Sequence, residues 1–257
     1  MSFSINTSLG SMGLTSSINY AYSGFMTAME RLSSGLRINR ASDDPAGMVI
    51  SEQLRTQIAS LNQEIQNTSA LITKYQAGSS TVGEMRSRLT ELRTMAVGAA
   101  NEGGNDEYTQ AAYATTANYI VNDYNQTLTT ADYNGSNLLD GSEGSLADIE
   151  ELANIDLSTT ESAQASISVI DEAIAELDQV QTNLGATQKN ELESRRSSLE
   201  VTAQNLTAAE SVIRDADIAL EYSNMVSESI RLQASLAMMA HLNVTSTGVL
   251  RLFGNTS

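Results

Sequence analysis

Apolar side chains recur every three or four residues along most of the chain, which is the spacing of amphipathic helices. The first of these stripes lies within residues 1–36, where no charged side chain occurs before Glu30. Its apolar members are Leu14, Ile18, Tyr22, Phe25, Met29, Leu32 and Leu36. We therefore predict a first helix whose polar face consists of Ser, Thr and Asn side chains rather than charged ones.

The helical pattern breaks between Gly35 and Gly47. Within this break, three side chains that can cap a helix precede the only proline of the sequence, in the order Ser42, Asp43, Asp44 and Pro45. Their oxygen atoms can accept hydrogen bonds from free N–H groups, and proline is favoured in the first helical turn. The segment therefore predicts that a second helix begins at Pro45.

Further helical stripes follow this break. Two long helices are predicted from Pro45 to about Ala100 and over about residues 161–213, with a third helix over residues 106–131 between them. Acidic side chains within residues 215–217 mark the start of a last helix, which we expect to end near Leu242. Because turns join the two long stripes, we expect them to pack antiparallel with the third helix alongside.

Turn residues lie after the third helix. The pairs Asn134–Gly135 and Asp140–Gly141 are typical of tight turns, and they predict a small β-hairpin near residues 132–145. Residues 142–160 are acidic and show no periodic pattern. We interpret that segment as a linker or a surface loop.

The two ends of the sequence resemble each other, since both are amphipathic, rich in Ser, Asn and Met, and nearly free of charge. A single amphipathic helix cannot bury its apolar stripe alone. We therefore predict an all-α protein, with a two-helix terminal domain of residues 1–41 and 214–257 and a long, coiled-coil-like rod domain of residues 42–213. Residues 1 to about 40 and about 217–257 are expected to be disordered in the monomer and to fold on assembly.

The terminal stripes and the break are expected to supply contacts between subunits. The apolar members of this predicted interface are Leu14, Ile18, Phe25, Leu32, Leu36, Ile218, Tyr222, Met225, Ile230, Leu236 and Met239. Its charged members lie in the break and are Arg37, Arg40, Asp43 and Asp44. We expect the two arginines to lie near acidic side chains, either within one subunit or across a subunit contact.

Charge and composition exclude several classes of function. The formal net charge of −17 disfavours binding to nucleic acid or to an anionic membrane surface. The sequence has a single histidine, His241, and no cysteine, so we predict no catalytic nucleophile–base set, no cofactor and no metal site. We interpret His241 as a helix-packing residue. Residues 1–29 carry no positive side chain and no continuous apolar segment, so a cleaved secretory signal is not expected.

Four segments of the sequence resemble signature segments of bacterial flagellins, in the same order along the chain. They are RLSSGLRINRASDDPAGMVISEQLR at Arg31–Arg55, LTELRTMAVGAAN at Leu89–Asn101, YNGSNLLDG at Tyr133–Gly141, and LGATQKNELESRRSSLEVTAQNLTAAESVIRDADIALEYSNM at Leu184–Met225. The resemblance implies an antiparallel helical rod, together with terminal helices that line the channel of a filament. Flagellins commonly carry outer domains in the middle of the chain, and here a short linker occupies that place.

The same resemblance implies a function and a set of partners. A flagellin is a structural subunit that is exported through the flagellar type III apparatus and self-assembles, beneath a cap, into the extracellular filament used for motility. The implied partners are further copies of the same protein, the flagellar cap, junction proteins and an export chaperone. A hook–filament junction protein, which shares flagellin-like ends, remains an alternative. A cytoplasmic coiled-coil scaffold is a second alternative, although such rods usually carry charged flanking positions throughout.

Overall fold

The computed structural model describes residues 2–101, 103–153 and 155–254. In sequence order, the elements are α1 (Ser2–Ser34), α2 (Pro45–Ala99), α3 (Glu107–Thr130), β1 (Asp132–Tyr133), β2 (Ser136–Asn137), α4 (Thr160–Ala186), a π-helical segment (Thr187–Glu193), α5 (Ser194–Arg214) and α6 (Ile218–Gly254). The predicted all-α class with a small antiparallel hairpin is confirmed. None of the helices in the described part of the protein is long and apolar enough to cross a membrane.

The protein folds into two compact units. The terminal unit contains the residues up to Ser60 together with those from Ala203 onward, and it includes α1, α6 and the adjoining ends of α2 and α5. The central unit contains Leu61–Thr202, with the remainder of α2, the whole of α3 and α4, the hairpin, the π-helical segment and the first part of α5.

The central unit is built around one hydrophobic core, to which α2, α3 and α4 each contribute a stripe. The buried members are Val82, Met85, Leu89, Leu92, Ala96 and Ala99 from α2, Ala117, Ile120, Tyr124 and Leu128 from α3, and Ala163, Ile170, Leu177 and Leu184 from α4. Burying one large apolar side group contributes about 1.5–3 kcal/mol. The three-and-four spacing of these residues is therefore the main reason why the helices pack together.

Ion pairs across the central unit show the direction of its helices. Arg86 of α2 pairs with Asp178 of α4, and Arg93 pairs with Asp171, with an Nε–Oδ1 distance of 2.5 Å in both pairs. Because the residue numbers rise on α2 while they fall on α4, the two helices are antiparallel, as predicted.

The hairpin is narrower than its predicted range. Strand β1 pairs with β2 in antiparallel register, with Tyr133 opposite Ser136. The two turn residues both have positive φ angles, 55° at Asn134 and 78° at Gly135. Positive φ angles at both positions define a type I′ turn, whose twist matches that of the paired strands. Asn and Gly tolerate positive φ angles better than other residues, which explains why they occupy these two positions.

The acidic segment after the hairpin was predicted to be a linker or surface loop, and this interpretation is only partly right. Before α4 begins, its described residues form no helix or strand, but three of its side chains are buried in the central core: Ile149, Leu152 and Leu157. The amide of Asn125 on α3 holds the backbone of Leu152, accepting from its N–H at 2.9 Å and donating to its C=O at 3.1 Å. The segment is therefore packed against the core rather than loose.

The predicted long helix over residues 161–213 contains a π-helical segment in its middle. The buried positions before it are separated by three, four or seven residues up to Leu184, but the next buried residue, Leu192, comes eight residues later. Seven residues would keep the same face in phase, so the sequence carries one extra residue here. The wider π turn absorbs that residue and returns the following apolar positions to the buried face.

The last helix is longer than predicted, because α6 continues to Gly254 rather than ending near Leu242. The sequence between these positions contains no proline, and an isolated glycine does not end a helix.

Candidate assembly surface

The terminal unit brings the first and last helices together as an antiparallel pair. Near the start of α1, a Cβ atom placed on Gly10 would lie 3.9 Å from Cδ1 of Leu242 on α6. Near the end of α1, the Arg31 Nη1 atom lies 2.9 Å from Oε1 of Glu221, in the first turn of α6. The two helices therefore pack over most of the described length of α1.

The contact between α1 and α6 follows a heptad pattern. Its members, each buried or half-buried, are Ser11, Leu14, Ile18, Ala21, Phe25, Ala28 and Leu32 on α1, and Glu221, Met225, Glu228, Leu232, Ser235, Met239 and Leu242 on α6. Steps of three and four on both helices are the spacing of a coiled-coil seam. We call this contact the terminal seam.

Large apolar side chains also lie on the outside of this pair. The exposed ones are Met12, Tyr20, Tyr22, Met26, Met29, Ile218, Leu220, Tyr222, Val226, Ile230, Leu236, Met238 and Val244. Tyr20 is 73% exposed and Ile230 is 61% exposed, so packing within one subunit does not account for them. Large apolar patches on a protein surface mark sites of association.

The predicted apolar interface residues on α1 and α6 divide between these two surfaces, and Leu36 lies in the break beyond α1. Half-buried are Leu14, Ile18, Phe25, Leu32, Leu36, Met225 and Met239, and exposed are Ile218, Tyr222, Ile230 and Leu236. The sequence pattern did not identify Ala21 and Ala28, which are each only 2% exposed. It selected the larger side chains of Tyr22 and Met29, one position further along, and both are exposed. Small residues let two helices approach closely, which is why the seam follows the alanines.

The predicted break between α1 and α2 is confirmed. Helix α1 ends at Ser34, and Gly35 adopts a φ angle of +73°, a left-handed conformation that favours glycine. Beyond it, Leu36 forms an isolated antiparallel bridge with Asp215, and the N–H of Ala216 donates to the C=O of Gly35 at 2.9 Å. These backbone contacts hold the beginning of α6 beside the end of α1.

The two arginines of the break differ in their partners. Arg40 lies 2.9 Å from Glu30, so its predicted acidic neighbour is confirmed. Arg37 instead donates from Nη2 to the backbone C=O of Ile213. The guanidinium of Arg37 thus satisfies a carbonyl at the end of α5, where the last four C=O groups of a helix have no partner within it.

The two aspartates of the break organise its backbone. Asp43 accepts hydrogen bonds from the N–H groups of Arg40 at 2.9 Å and Asn39 at 3.1 Å. The hydrogen bond from Arg40 is the main reason why the pKa of Asp43 lies below its usual value. Asp44 accepts from the N–H of Gly47 at 2.9 Å and thereby caps α2, as the sequence predicted.

A buried polar cluster connects α2 with α5 in the terminal unit. Ser51, which is 0% exposed, donates to Glu210 at 3.1 Å. Arg214 lies 3.1 Å from Glu52 and 4.0 Å from Glu210. These residues come from distant parts of the sequence, so no local pattern identifies them as partners.

The described residues offer no metal centre. Among them, no group of three His, Asp or Glu residues is placed so that it could hold a metal ion. His241 is exposed on α6, so its interpretation as a helix-packing residue is wrong. The distinctive features of the terminal unit are a coiled-coil seam and exposed apolar side chains on its outside. These features are typical of a helical protein that associates with other protein surfaces.

Comparison with known protein families agrees with this class. Residues 5–144 match the bacterial flagellin N-terminal helical region, and residues 167–253 match the bacterial flagellin C-terminal helical region. The protein belongs to the bacterial flagellin family. It is therefore a structural subunit of the extracellular flagellar filament and not an enzyme.

Individual relatives match nearly the whole sequence. A flagellin of Halalkalibacterium halodurans is 35% identical, with the alignment covering 96% of this protein and 98% of the relative. A flagellin of Bacillus subtilis is 29% identical over 96% of this protein and 99% of the relative. The flagellar filament core protein flaB2 of Brachyspira hyodysenteriae is also 29% identical, with the same coverage. These relatives do not favour the alternative of a hook–filament junction protein.

A flagellin of known structure can be compared with part of this protein. The crystal structure of Bacillus cereus flagellin aligns with a TM-score of 0.47 at 18% identity, and the alignment covers 56% of this protein and 94% of that flagellin.

Proposed function

We propose that this flagellin polymerises through the outer face of its terminal helix pair, and that the terminal seam gives that face its shape. The observation that carries the proposal is the exposure of large apolar side chains on helices that are almost free of charge. No charged residue precedes Glu30, and from Leu232 onward the only positive residue is Arg251. Burying neutral helices against other copies avoids the cost of desolvating charges.

The predicted domain division belongs to this proposal. Residues 1–41 and 214–257 would form the terminal domain at the centre of the filament, and residues 42–213 would form the surrounding rod. Most of the acidic charge of the sequence lies in the rod segment, where water can solvate it. The break containing Arg37, Arg40, Asp43 and Asp44 would lie at the junction and contribute polar contacts between subunits.

The remaining partners come from family membership. We infer that the protein leaves the cell through the flagellar type III apparatus, with an export chaperone. It would then add to the growing filament beneath a cap, on a base of junction proteins. Fractionation of cells that lack each of these components would test this route, because the subunit should then accumulate inside the cell or appear unpolymerised in the medium.

Polymerisation of the purified full-length protein on short filament seeds tests the assembly surface. Ile230→Asp places a charge on the exposed face of α6, and we expect it to prevent elongation while the monomer keeps its helical content. Val201→Asp is a matched control, because Val201 is also exposed, at 54%, but belongs to the central unit. Normal elongation of the Ile230→Asp variant, or filaments built from a variant that lacks both terminal helices, would refute the proposal.

A further inference from the structure

Along one edge of the terminal seam, a line of positions repeats every seven residues on both helices. On α1 the line is Gly10, Ser17, Gly24 and Arg31, and on α6 it is Leu242, Ser235, Glu228 and Glu221. Gly10 faces Leu242, and Arg31 bonds with Glu221. A Cβ atom on Gly24 would lie 3.1 Å from Cγ of Glu228, and Ser17 and Ser235 line one groove together.

The side chains along this line would also fit together if the two helices were paired in a different register. The seam is apolar or small at most positions, so sliding α6 by one heptad would still place apolar side chains against apolar or small ones. In one slid arrangement, Leu242 would face Ser17 and Glu228 would face Arg31. A heptad repeat alone does not specify a register, and polar residues in the seam commonly do so.

The charged residues at the end of α1 and the start of α6 distinguish the observed register from this slid one. Glu221 is only 6% exposed, and its Oε1 atom accepts from Arg31 Nη1 at 2.9 Å. Its other oxygen, Oε2, accepts from the amide of Asn224 at 3.3 Å. Sliding would remove Arg31 from Glu221 and leave a buried carboxylate without its cation, which is among the costliest defects in a protein interior.

Glu228 is the competing partner, because it lies one heptad from Glu221 and lines the same groove as Arg31. Its Oε1 atom is held by Arg231 of its own helix at 3.0 Å, while its Oε2 atom is buried and has no hydrogen-bond partner among the described residues. Gly24 provides the space that Glu228 occupies. A glycine inside a helix costs about 1 kcal/mol relative to alanine, so its presence here is explained by this close approach.

We propose that the Arg31–Glu221 ion pair selects the register of α1 against α6, with Gly24 accommodating the competing carboxylate of Glu228. A slide of one heptad would also break the Leu36–Asp215 bridge, so these backbone bonds favour the same register, but they can form with any side chains and the ion pair is the contact that the side chains specify. The register decides which apolar side chains face outward. The inference thus rests on the proposed function and identifies positioning residues for it.

Cysteine cross-linking can read the register directly, because the protein has no cysteine of its own. One reporter carries Gly10→Cys with Leu242→Cys, which face each other in the observed register. A second reporter carries Ser17→Cys with Leu242→Cys, which would face each other after a slide of one heptad. Each reporter is assembled with an excess of unmodified protein, so that the cross-link can be measured even in a variant that does not polymerise alone. The filaments are then treated with a short thiol cross-linker. Links within one subunit are separated from links between subunits by denaturing electrophoresis.

We expect the first reporter to link and the second not to. Arg31→Glu or Glu221→Arg should abolish most of the first link, and the exchanged pair Arg31→Glu with Glu221→Arg should restore it. Glu228→Gln should leave the first link intact. Exchange of Arg196 with Glu200, an exposed ion pair of the central unit at 3.6 Å, is the control and should change nothing.

Two results would overturn this proposal. One is a first reporter that links equally well in the single variants, and the other is a double exchange that does not restore the link. Both leave the assembly proposal intact, since polymerisation without the terminal helices is scored separately and would refute the assembly proposal instead.

Discussion

Arg93 on α2 holds Asp171 on α4 through two hydrogen bonds, from Nε to Oδ1 at 2.5 Å and from Nη2 to Oδ2 at 3.2 Å. Seven residues earlier on α2, Arg86 donates one such hydrogen bond, from Nε to Oδ1 of Asp178, seven residues later on α4. The repeat places the same contact at two successive levels of the central unit. Both contacts agree with the antiparallel register that the buried apolar side chains of the two helices set.

The first prediction concerns how the stability contributed by Asp171 depends on pH. The hydrogen bond from Arg93, together with its positive charge, holds the pKa of Asp171 below its usual value. A lowered pKa in the folded state gives stability that is present above the unfolded-state pKa and is lost as pH falls through the folded value. Thermal unfolding at several pH values should therefore show a lower midpoint for Asp171→Asn at neutral pH, with the difference disappearing in acid.

The size of this effect is limited, since the side chains of Arg93 and Asp171 are each 46% exposed and exposed ion pairs contribute little. Glu172→Gln is the control, because Glu172 is an exposed carboxylate on the same helix, next to Asp171. An equal change in both variants would mean that the loss of any negative charge on α4 accounts for the result.

The second prediction concerns Tyr124, which is 1% exposed in the central core. Burial, with a further contribution from Glu176, raises its pKa to about 12. Its raised pKa contributes stability that is complete below the unfolded-state value of about 10 and is lost as pH rises toward 12. Titration of phenolate absorbance should show one late step, accompanied by loss of helix.

Tyr124→Phe should remove that late step and move alkaline unfolding to higher pH. Tyr119→Phe is the matched control on the same helix, because Tyr119 is 72% exposed, and it should leave the late step in place. A late step that persists in the Tyr124→Phe variant would assign the raised pKa to another tyrosine.

The third prediction concerns the π-helical segment. Deletion of Asn190, which is exposed, removes the extra residue between Leu184 and Leu192. A continuous α-helix would then keep both leucines on the buried face, and the less favourable π hydrogen bonding would disappear. We expect an equal or higher thermal midpoint, measured by circular dichroism, although deletions inside helices usually destabilise.

Insertion of one alanine after Asn190 is the opposite test. It adds a second extra residue, turns the following apolar positions away from the core, and should lower the midpoint clearly. A lower midpoint after the deletion as well would mean that the π turn is required for packing and does not merely absorb an extra residue.

Local sequence signals predict much of this fold. The start of α2 follows from Asp44 and Pro45, because a cap and an N-terminal proline act within one turn. The hairpin follows from Asn134 and Gly135, because both turn positions need positive φ. The same logic fails at the end of α6, where the sequence offers no stop signal before Gly254.

Long-range packing limits the prediction of the candidate site. Hydrophobicity alone selected Tyr22 and Met29 for the first stripe, whereas the seam follows Ala21 and Ala28, since close approach favours small side chains. The partner of Arg31 was not predicted either. Its partner lies on the last helix, 190 residues away, and no local spacing links two such positions.

The last prediction concerns the order of assembly. We expect α1 and α6 to be stably folded only in the filament, although they are able to pair within one subunit. Ordering the backbone costs about 1–2 kcal/mol per residue. The terminal seam is narrow: it buries alanines and half-buries most of its larger side chains, while Tyr20 and Ile230 remain exposed. Hydrogen exchange should therefore be fast across α1 and α6 in the monomer and slow in the filament, while the core helices of the central unit are protected in both. Strong protection of α1 and α6 in the monomer would mean that the pair folds before assembly, and that polymerisation joins preformed surfaces.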